Sequence, residues 1–168
     1  MILVNTVGDH DKHKPILLNY IDNFKNNNNT RYQGMDSDWN ISSDVKRTYT
    51  EYFYNDVVSP IMTNIGKSLG FDKFDWDISN SWFQQYKKNE QHNWHNHPNT
   101  QFTNCYFLEL PNSQYKTEVV NIDGTIIDYV AKEGDVVTMS AWMKHRSPSN
   151  GTERKTVIAF NSSYSIIL

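Results

Sequence analysis

The sequence predicts a mainly β fold: a jelly-roll-like barrel buttressed by N-terminal α-helices, in a single domain spanning residues 1–168. Three observations carry that prediction. Apolar residues over about residues 1–75 recur at helical spacing. Over about residues 76–168 the pattern becomes short β-prone runs separated by turn residues, at the spacing of an antiparallel sandwich or barrel. No internal repeat or linker-like stretch divides the chain, and 168 residues suffice for one core.

The first helix is expected over Pro15–Phe24, with proline well placed in a first turn. The polar run Asn26–Asn29 reads as a loop. A second helix should start near Ser42 or Ser43, both good N-caps ahead of Asp44. Its stripe of Val45, Tyr49, Tyr52, Phe53 and Val57 is suited to packing on a sheet. Pro60 should kink or restart this helix, which continues through Ile61, Ile65 and Leu69 until Gly70 ends it. Strands are expected at Ile78–Lys87, Phe102–Leu110, Tyr115–Val120, Thr125–Val130, Asp135–Met139 and Lys155–Tyr164. Turn signals separate them, and Asp123-Gly124 is a two-residue hairpin signal.

An apolar share of 38% with 14% aromatic residues is adequate for a globular fold. The net charge of −3 supplies no basic field to attract nucleic acid or an anionic membrane. A single cysteine, Cys105, excludes an internal disulfide and favours a reducing compartment. No apolar run approaches the length of a membrane span, and the N-terminus lacks a basic-then-apolar signal pattern. A cytoplasmic protein is the expectation, and an edge strand of the barrel offers a route to a homodimer.

The chemistry is concentrated in the histidines. Of the six, His10 and His13 read as surface or hydrogen-bonded residues. His95 and His97, in His-Asn-His-Pro, share one face of a strand and can converge on one ion. They end a strand pattern where Pro98 and Asn99 turn the chain away, and strand ends at a barrel mouth are where ligands bind. His92, three residues before His95, should face the other way. The third imidazole, His145, follows a turn, a strand and Trp142, and barrels of this class bring such a residue beside the His-x-His strand. Arg154 opens an apolar strand and shares a face with Thr156, Ile158 and Phe160. If that face points inward, the charge needs a partner, which a ligand carboxylate would supply bidentately. Otherwise Arg154 is an exposed strand-edge residue beside Lys155. Three histidines with a buried arginine indicate metal-dependent chemistry on a small organic acid.

Further motifs surround these residues: Trp82 and Tyr86 in Ser-Trp-Phe-Gln-Gln-Tyr, then His95-Asn-His97-Pro98, then Asn104-Cys-Tyr-Phe-Leu with Pro111. Gly134-Asp135 with Trp142 and His145 follows, and then Gly151 through Asn161. In order and spacing, from Ser81 to Asn161, they resemble the Fe(II)- and 2-oxoglutarate-dependent oxygenases. The branch they resemble is small, common in phage and marine bacterial genomes, and distantly similar to prolyl 4-hydroxylases. The resemblance implies a double-stranded β-helix with iron at its mouth. It implies His95, His97 and His145 as metal ligands, Arg154 on the distal carboxylate of 2-oxoglutarate, and an assisting hydroxyl from Tyr86 or Tyr106. It also implies hydroxylation of a peptide side chain, amino acid or small metabolite, with release of succinate and CO2. Ascorbate would be the reductant, and the location a host cytoplasm if the chain is phage-encoded. Trp94, Phe102 and Trp142 are candidates for the substrate side.

Position 97 departs from that family, whose facial triad has a carboxylate there. Three neutral imidazoles leave the ion's charge uncompensated, which strengthens its attraction for an anionic cosubstrate; they equally suit zinc. Two other readings stand beside the oxygenase. One is a cupin-type metal enzyme, a thiol dioxygenase or isomerase, which fits the Gly134-to-His145 spacing but lacks a glutamate shortly after His-x-His, where Asn99, Thr100 and Gln101 stand. The other is a non-catalytic sugar- or protein-binding jelly roll.

Overall fold

The computed structural model describes residues 1–167; Leu168, which the predicted domain includes, lies outside them. Strand β1 (Ile2–Thr6) precedes helix α1 (His10–Asn27). The helix begins before Pro15 because Asp9, with φ of 53°, turns the chain and its carbonyl accepts from the Lys12 and His13 N–H groups. His13, Leu17, Ile21 and Phe24 are its buried face, at the spacing of one helical stripe.

The helix runs on through Asn26 and Asn27, half of the expected Asn26–Asn29 loop, because the Asn27 and Asn28 side chains bond back to the Asn23 and Phe24 carbonyls, and a hairpin follows. Strands β2 (Arg31–Tyr32) and β3 (Met35–Ser37) pair across Gln33-Gly34, whose φ values of 47° and 87° are those a two-residue hairpin requires. Helix α2 (Thr48–Tyr52) starts later than Ser42 or Ser43. The preceding loop is instead tied by Arg47, whose guanidinium donates to the Asp38 and Ile41 carbonyls at 2.9 and 2.8 Å. A π turn at Phe53–Val58 leads directly into α3 (Ser59–Ser68), which carries Pro60 in its first turn. The wide turn lies just upstream of the proline, which removes a donor from the α-helical ladder. Gly70, at φ 82°, ends the helix as expected.

The remaining strands are β4 (Phe74–Tyr86), β5 (His92–His95), β6 (Phe102–Glu109), β7 (Glu118–Val119), β8 (Asp135–Ser140), β9 (His145–Ser147) and β10 (Lys155–Ile166). The predicted strand Thr125–Val130 does not form. Asp123-Gly124 does turn the chain, but only the Val120–Ile126 bridge follows, and Val130 is 88% exposed with no strand to cover it. Tyr115–Val120 likewise contracts to β7 after a 3-10 turn.

A seven-stranded antiparallel sheet, ordered β1-β8-β6-β10-β4-β3-β2, faces a three-stranded sheet, β5-β9-β7. The helices cover the outer face of the larger sheet, where Phe83, Tyr106, Ile158 and Phe160 pack against Leu17, Ile21 and Phe53. Its inner face sends Tyr86, Cys105, Phe107, Val137 and Val157 toward the smaller sheet. Each fully buried aromatic contributes about 2–3 kcal/mol. Both faces are therefore dry, and successive residues of β10 are buried regardless of which way they point. Among the described residues, no helix is long and apolar enough to cross a membrane.

Candidate metal centre

The smaller sheet builds the histidine cluster. Strands β5 and β9 pair so that His95 lies directly opposite His145. His97 has passed the end of β5, and its backbone N–H donates to the Ala141 carbonyl at 2.9 Å. The three ligand nitrogens lie within 4.8 Å of one another. Nδ1 of His95 bonds the Asn93 carbonyl at 2.7 Å, and Nδ1 of His145 bonds the Met143 carbonyl at 3.0 Å. Each ring thus carries its proton on Nδ1 and leaves Nε2 free for an ion. The His97 ring lies nearly parallel to Trp82, with centroids 5.5 Å apart and planes at 14°.

Burial disfavours the charged imidazolium, pushing His145 down to about 3 and His97 to about 4; His95 is lowered for the same reason. The trio is neutral at physiological pH, the form that binds metal. Three converging neutral imidazoles, two of them oriented by main-chain carbonyls, fit a borderline divalent ion such as iron or zinc.

The cavity beside the trio is lined by residues of both sheets, Lys155 among them. This ammonium is 1% exposed, and it donates to the Tyr115 carbonyl at 2.8 Å and to the Ser147 hydroxyl. It sits 4.4 Å from the centroid of the Tyr86 ring. All these partners are neutral, so the charge is solvated by dipoles and a π face but not balanced. Burial lowers Lys155 to about 8, which leaves it mostly protonated at neutral pH. The closed space is about 30 Å³, room for one water, so a larger ligand requires side chains at its mouth to move apart.

A wider groove of about 270 Å³ adjoins the histidines, walled by Tyr32, Trp39, Trp82 and Pro98 and bordered by Gln33, Gln84 and Asn96. None of its lining side chains is acidic or permanently cationic.

No protein-family model and no curated protein matches the sequence. Solved structures do match. A prolyl hydroxylase from Trichoplax adhaerens, in complex with a hypoxia-inducible-factor peptide fragment, superposes with a TM-score of 0.65 at 12% identity, covering 95% of this chain and 82% of that one. HygX from Streptomyces hygroscopicus, with nickel and 2-oxoglutarate bound, gives 0.68 at 9% identity over 99% and 83%. A 2OG-Fe(II) oxygenase family protein from Burkholderia pseudomallei gives 0.57 at 13% identity over 69% of this chain, which spans only 56% of that protein's length. The chain has their fold, the double-stranded β-helix.

Within that β-helix, the residues expected to form the site divide. His95, His97 and His145 converge, and Tyr86 lines the same cavity, its hydroxyl donating to Gln84 Oε1 at 3.0 Å. Arg154 does not join them. Its guanidinium forms a bidentate pair with Glu109, at 2.8 and 3.0 Å, and reaches Asp22 of α1 at 3.3 Å. The face it shares with Thr156, Ile158 and Phe160 is the helix side of the sheet, so the inward residue is its neighbour Lys155. Tyr106 points the same outward way, 2.7 Å from His10 Nδ1. Phe102 belongs to the helix-side core, Trp142 is 58% exposed, and Trp94 stacks with Arg146.

His92 is a correction in the other direction. A bulge between His92 and His95 restores it to the site face, where its ring lies 4.2 Å from that of His95 and its Nδ1 is 3.1 Å from Gln84 Nε2. Cys105 also lines the cavity, and burial pushes its thiol up to about 11, keeping it protonated. Lys155 carried a signal in the sequence, a lysine inside a strand of apolar residues, that was overshadowed by the arginine beside it.

Proposed function

We propose that this protein is an Fe(II)- and 2-oxoglutarate-dependent dioxygenase that hydroxylates a C–H bond of an uncharged group presented from the aromatic groove. One observation carries the reading: a buried, unbalanced ammonium, Lys155, shares a cavity with three neutral imidazoles. A metal site alone needs no such cation, and a dicarboxylate spanning from ion to ammonium gives it its counter-charge. The shared fold supports this, since HygX holds 2-oxoglutarate with nickel.

In this reading His95, His97 and His145 would hold the ion beside the cavity and groove. Lys155 grips the far carboxylate, and Ser147 and Tyr86 hold the ammonium in place. When bound, iron with 2-oxoglutarate and oxygen supplies the oxidising power, and the cosubstrate leaves as succinate and CO2. Trp82 and Trp39 exclude water on the open side. The groove's aromatic walls and amide rims favour a neutral, CH-rich substrate group over a charged one. A peptide side chain meets that description, as does a small metabolite.

The test is anaerobic addition of Fe(II) and 2-oxoglutarate, read by the metal-to-ligand charge-transfer band in the visible. Wild type and Arg154→Ala should both develop the band, whereas Lys155→Ala should need a much higher cosubstrate concentration. Metal binding without any band would hand the site to the cupin or zinc reading. Loss of the band in Arg154→Ala but not in Lys155→Ala would overturn the assignment of the anion partner.

A further inference from the structure

Two of the three candidate ligands take their orientation from the backbone, through the Asn93 and Met143 carbonyls. His97 is held differently. Its ring lies flat between Trp82 and His145, at 14° and 17° to them, and such contacts set the ring plane without distinguishing one nitrogen from the other.

The side-chain amide poised toward this ring, short of hydrogen-bond geometry, is that of Asn161. Asn161 lies on β10 directly opposite Asn80 of β4, and its Nδ2 donates to Asn80 Oδ1 at 2.8 Å. Asn80 Oδ1 also accepts from the Ser79 hydroxyl at 3.2 Å. The Asn161 amide is oriented with it, because flipping Asn161 alone would set two carbonyl oxygens against each other. Its Oδ1 is left buried, with no donor in hydrogen-bond geometry. A buried acceptor left unpaired costs about 1–3 kcal/mol. The His97 N–H removes that cost after a rotation of the ring. Closing the three nitrogens from 4.8 Å onto one ion calls for ring movement as well.

We propose that Asn161, braced by Asn80, is the positioning residue of His97: its carbonyl oxygen selects the tautomer and turns the other ring nitrogen toward His95 and His145. The inference rests on the metal-site reading above. It supplies the third imidazole with the fixed orientation that its two partners obtain from main-chain carbonyls. Groups in this role typically alter metal affinity about 10–100-fold.

The experiment uses the full chain with 15N-labelled histidine. In the metal-free wild type, NMR should show His97 as a single tautomer. In Asn161→Ala it should become a mixture, while His95 and His145 keep theirs. Zn(II) affinity should fall about 10–100-fold in that variant. Asn161→Asp, which keeps an acceptor oxygen, should restore both readouts. In a His97→Asp background, which has no ring to orient, Asn161→Ala should change Zn(II) affinity less than about threefold, the double-mutant signature of coupling.

An unchanged His97 tautomer in Asn161→Ala would overturn the proposal, as would an equal affinity loss in the His97→Asp background. If the wild type binds no divalent metal, the functional reading fails. The tautomer measurement on the metal-free chain still decides the role of Asn161.

Discussion

Arg154 and Lys155 are adjacent in the chain, yet their charges serve opposite sides of the larger sheet. The guanidinium pairs with Glu109 and Asp22 beneath α1, and the ammonium enters the cavity between the sheets. The first is a partly exposed structural ion pair, 37% exposed on the arginine side chain. The second is a buried cation with no ion pair among the described residues, the Glu118 carboxylate that acts on it being paired with Arg146.

Arg154→Ala should therefore lower stability modestly, by about 1 kcal/mol, since screening discounts a half-exposed pair. Urea unfolding of Arg154→Ala, Glu109→Ala and the double variant measures this, and non-additivity is expected because the two residues touch. A destabilisation with no change in cosubstrate affinity is the predicted signature.

Affinity for 2-oxoglutarate should depend on the Lys155 proton. Burial holds this group near 8, below the ordinary lysine value of 10.5. Binding should be level below that pH and weaken by up to about tenfold per unit above it. The bound anion favours the ammonium and raises its pKa, so binding above pH 8 takes up a proton. Calorimetry in buffers of different ionisation enthalpy reads that uptake directly, and a flat affinity between pH 7 and 9.5 would count against Lys155.

The histidines set the acid limit. His92, His97 and His145 have lower proton affinity folded than the ordinary value of 6.5, so below that value the unfolded chain binds more protons. Stability of the metal-free protein should be intact above pH 6.5 and decline as pH falls toward 4. Added Zn(II) should raise the melting temperature at pH 7, by the equivalent of about 2.7 kcal/mol at 100 times Kd, and lose that effect in acid as protons compete.

His92 should prove dispensable for the metal. Its ring is close to His95, but its Nδ1 is engaged with Gln84. His92→Ala should weaken Zn(II) binding by less than about tenfold, whereas alanine at His95, His97 or His145 should abolish tight binding.

Asp38 is the residue on which the groove wall depends. It is fully buried and accepts from Tyr49, from the Phe83 N–H at 2.8 Å and from Arg47 at 2.9 Å. Asp38→Ala leaves all three donors unsatisfied and should cost about 3–5 kcal/mol in denaturant unfolding. Asp38→Asn, which retains an acceptor, should cost less. Trp39 follows directly in the chain, so quenching of its fluorescence by a soluble quencher should rise with the loss of Asp38.

Much of this architecture is legible from local chemistry. Strands β6 and β8 stand close to where their apolar runs place them, and Gly70 ends its helix because only a residue tolerant of positive φ closes it cheaply. Thr125–Val130 has the alternation of a strand but no neighbour to pair with, and pairing is a property of two segments. The β2–β3 hairpin escapes notice because it is only five strand residues long and is anchored through the pairing of Asp36 and Ser37 with β4, which local propensity does not see.

The site divides along the same line. Residue type, order and strand-end position by themselves pointed to the histidine trio, whose ligand nitrogens the fold brings within 4.8 Å of one another. The tertiary structure decided which residue of the pair Arg154 and Lys155 faces it. Alternation names an inner face only when the other face is wet, and here helices cover one side of β10 while the second sheet covers the other. Both parities of β10 are buried, so only the packing of α1 against Glu109 and Arg154 shows which cation is structural and which one faces the cavity. The bulge that turns His92 inward is likewise invisible in the sequence: it shifts the register by an amount that spacing alone cannot encode.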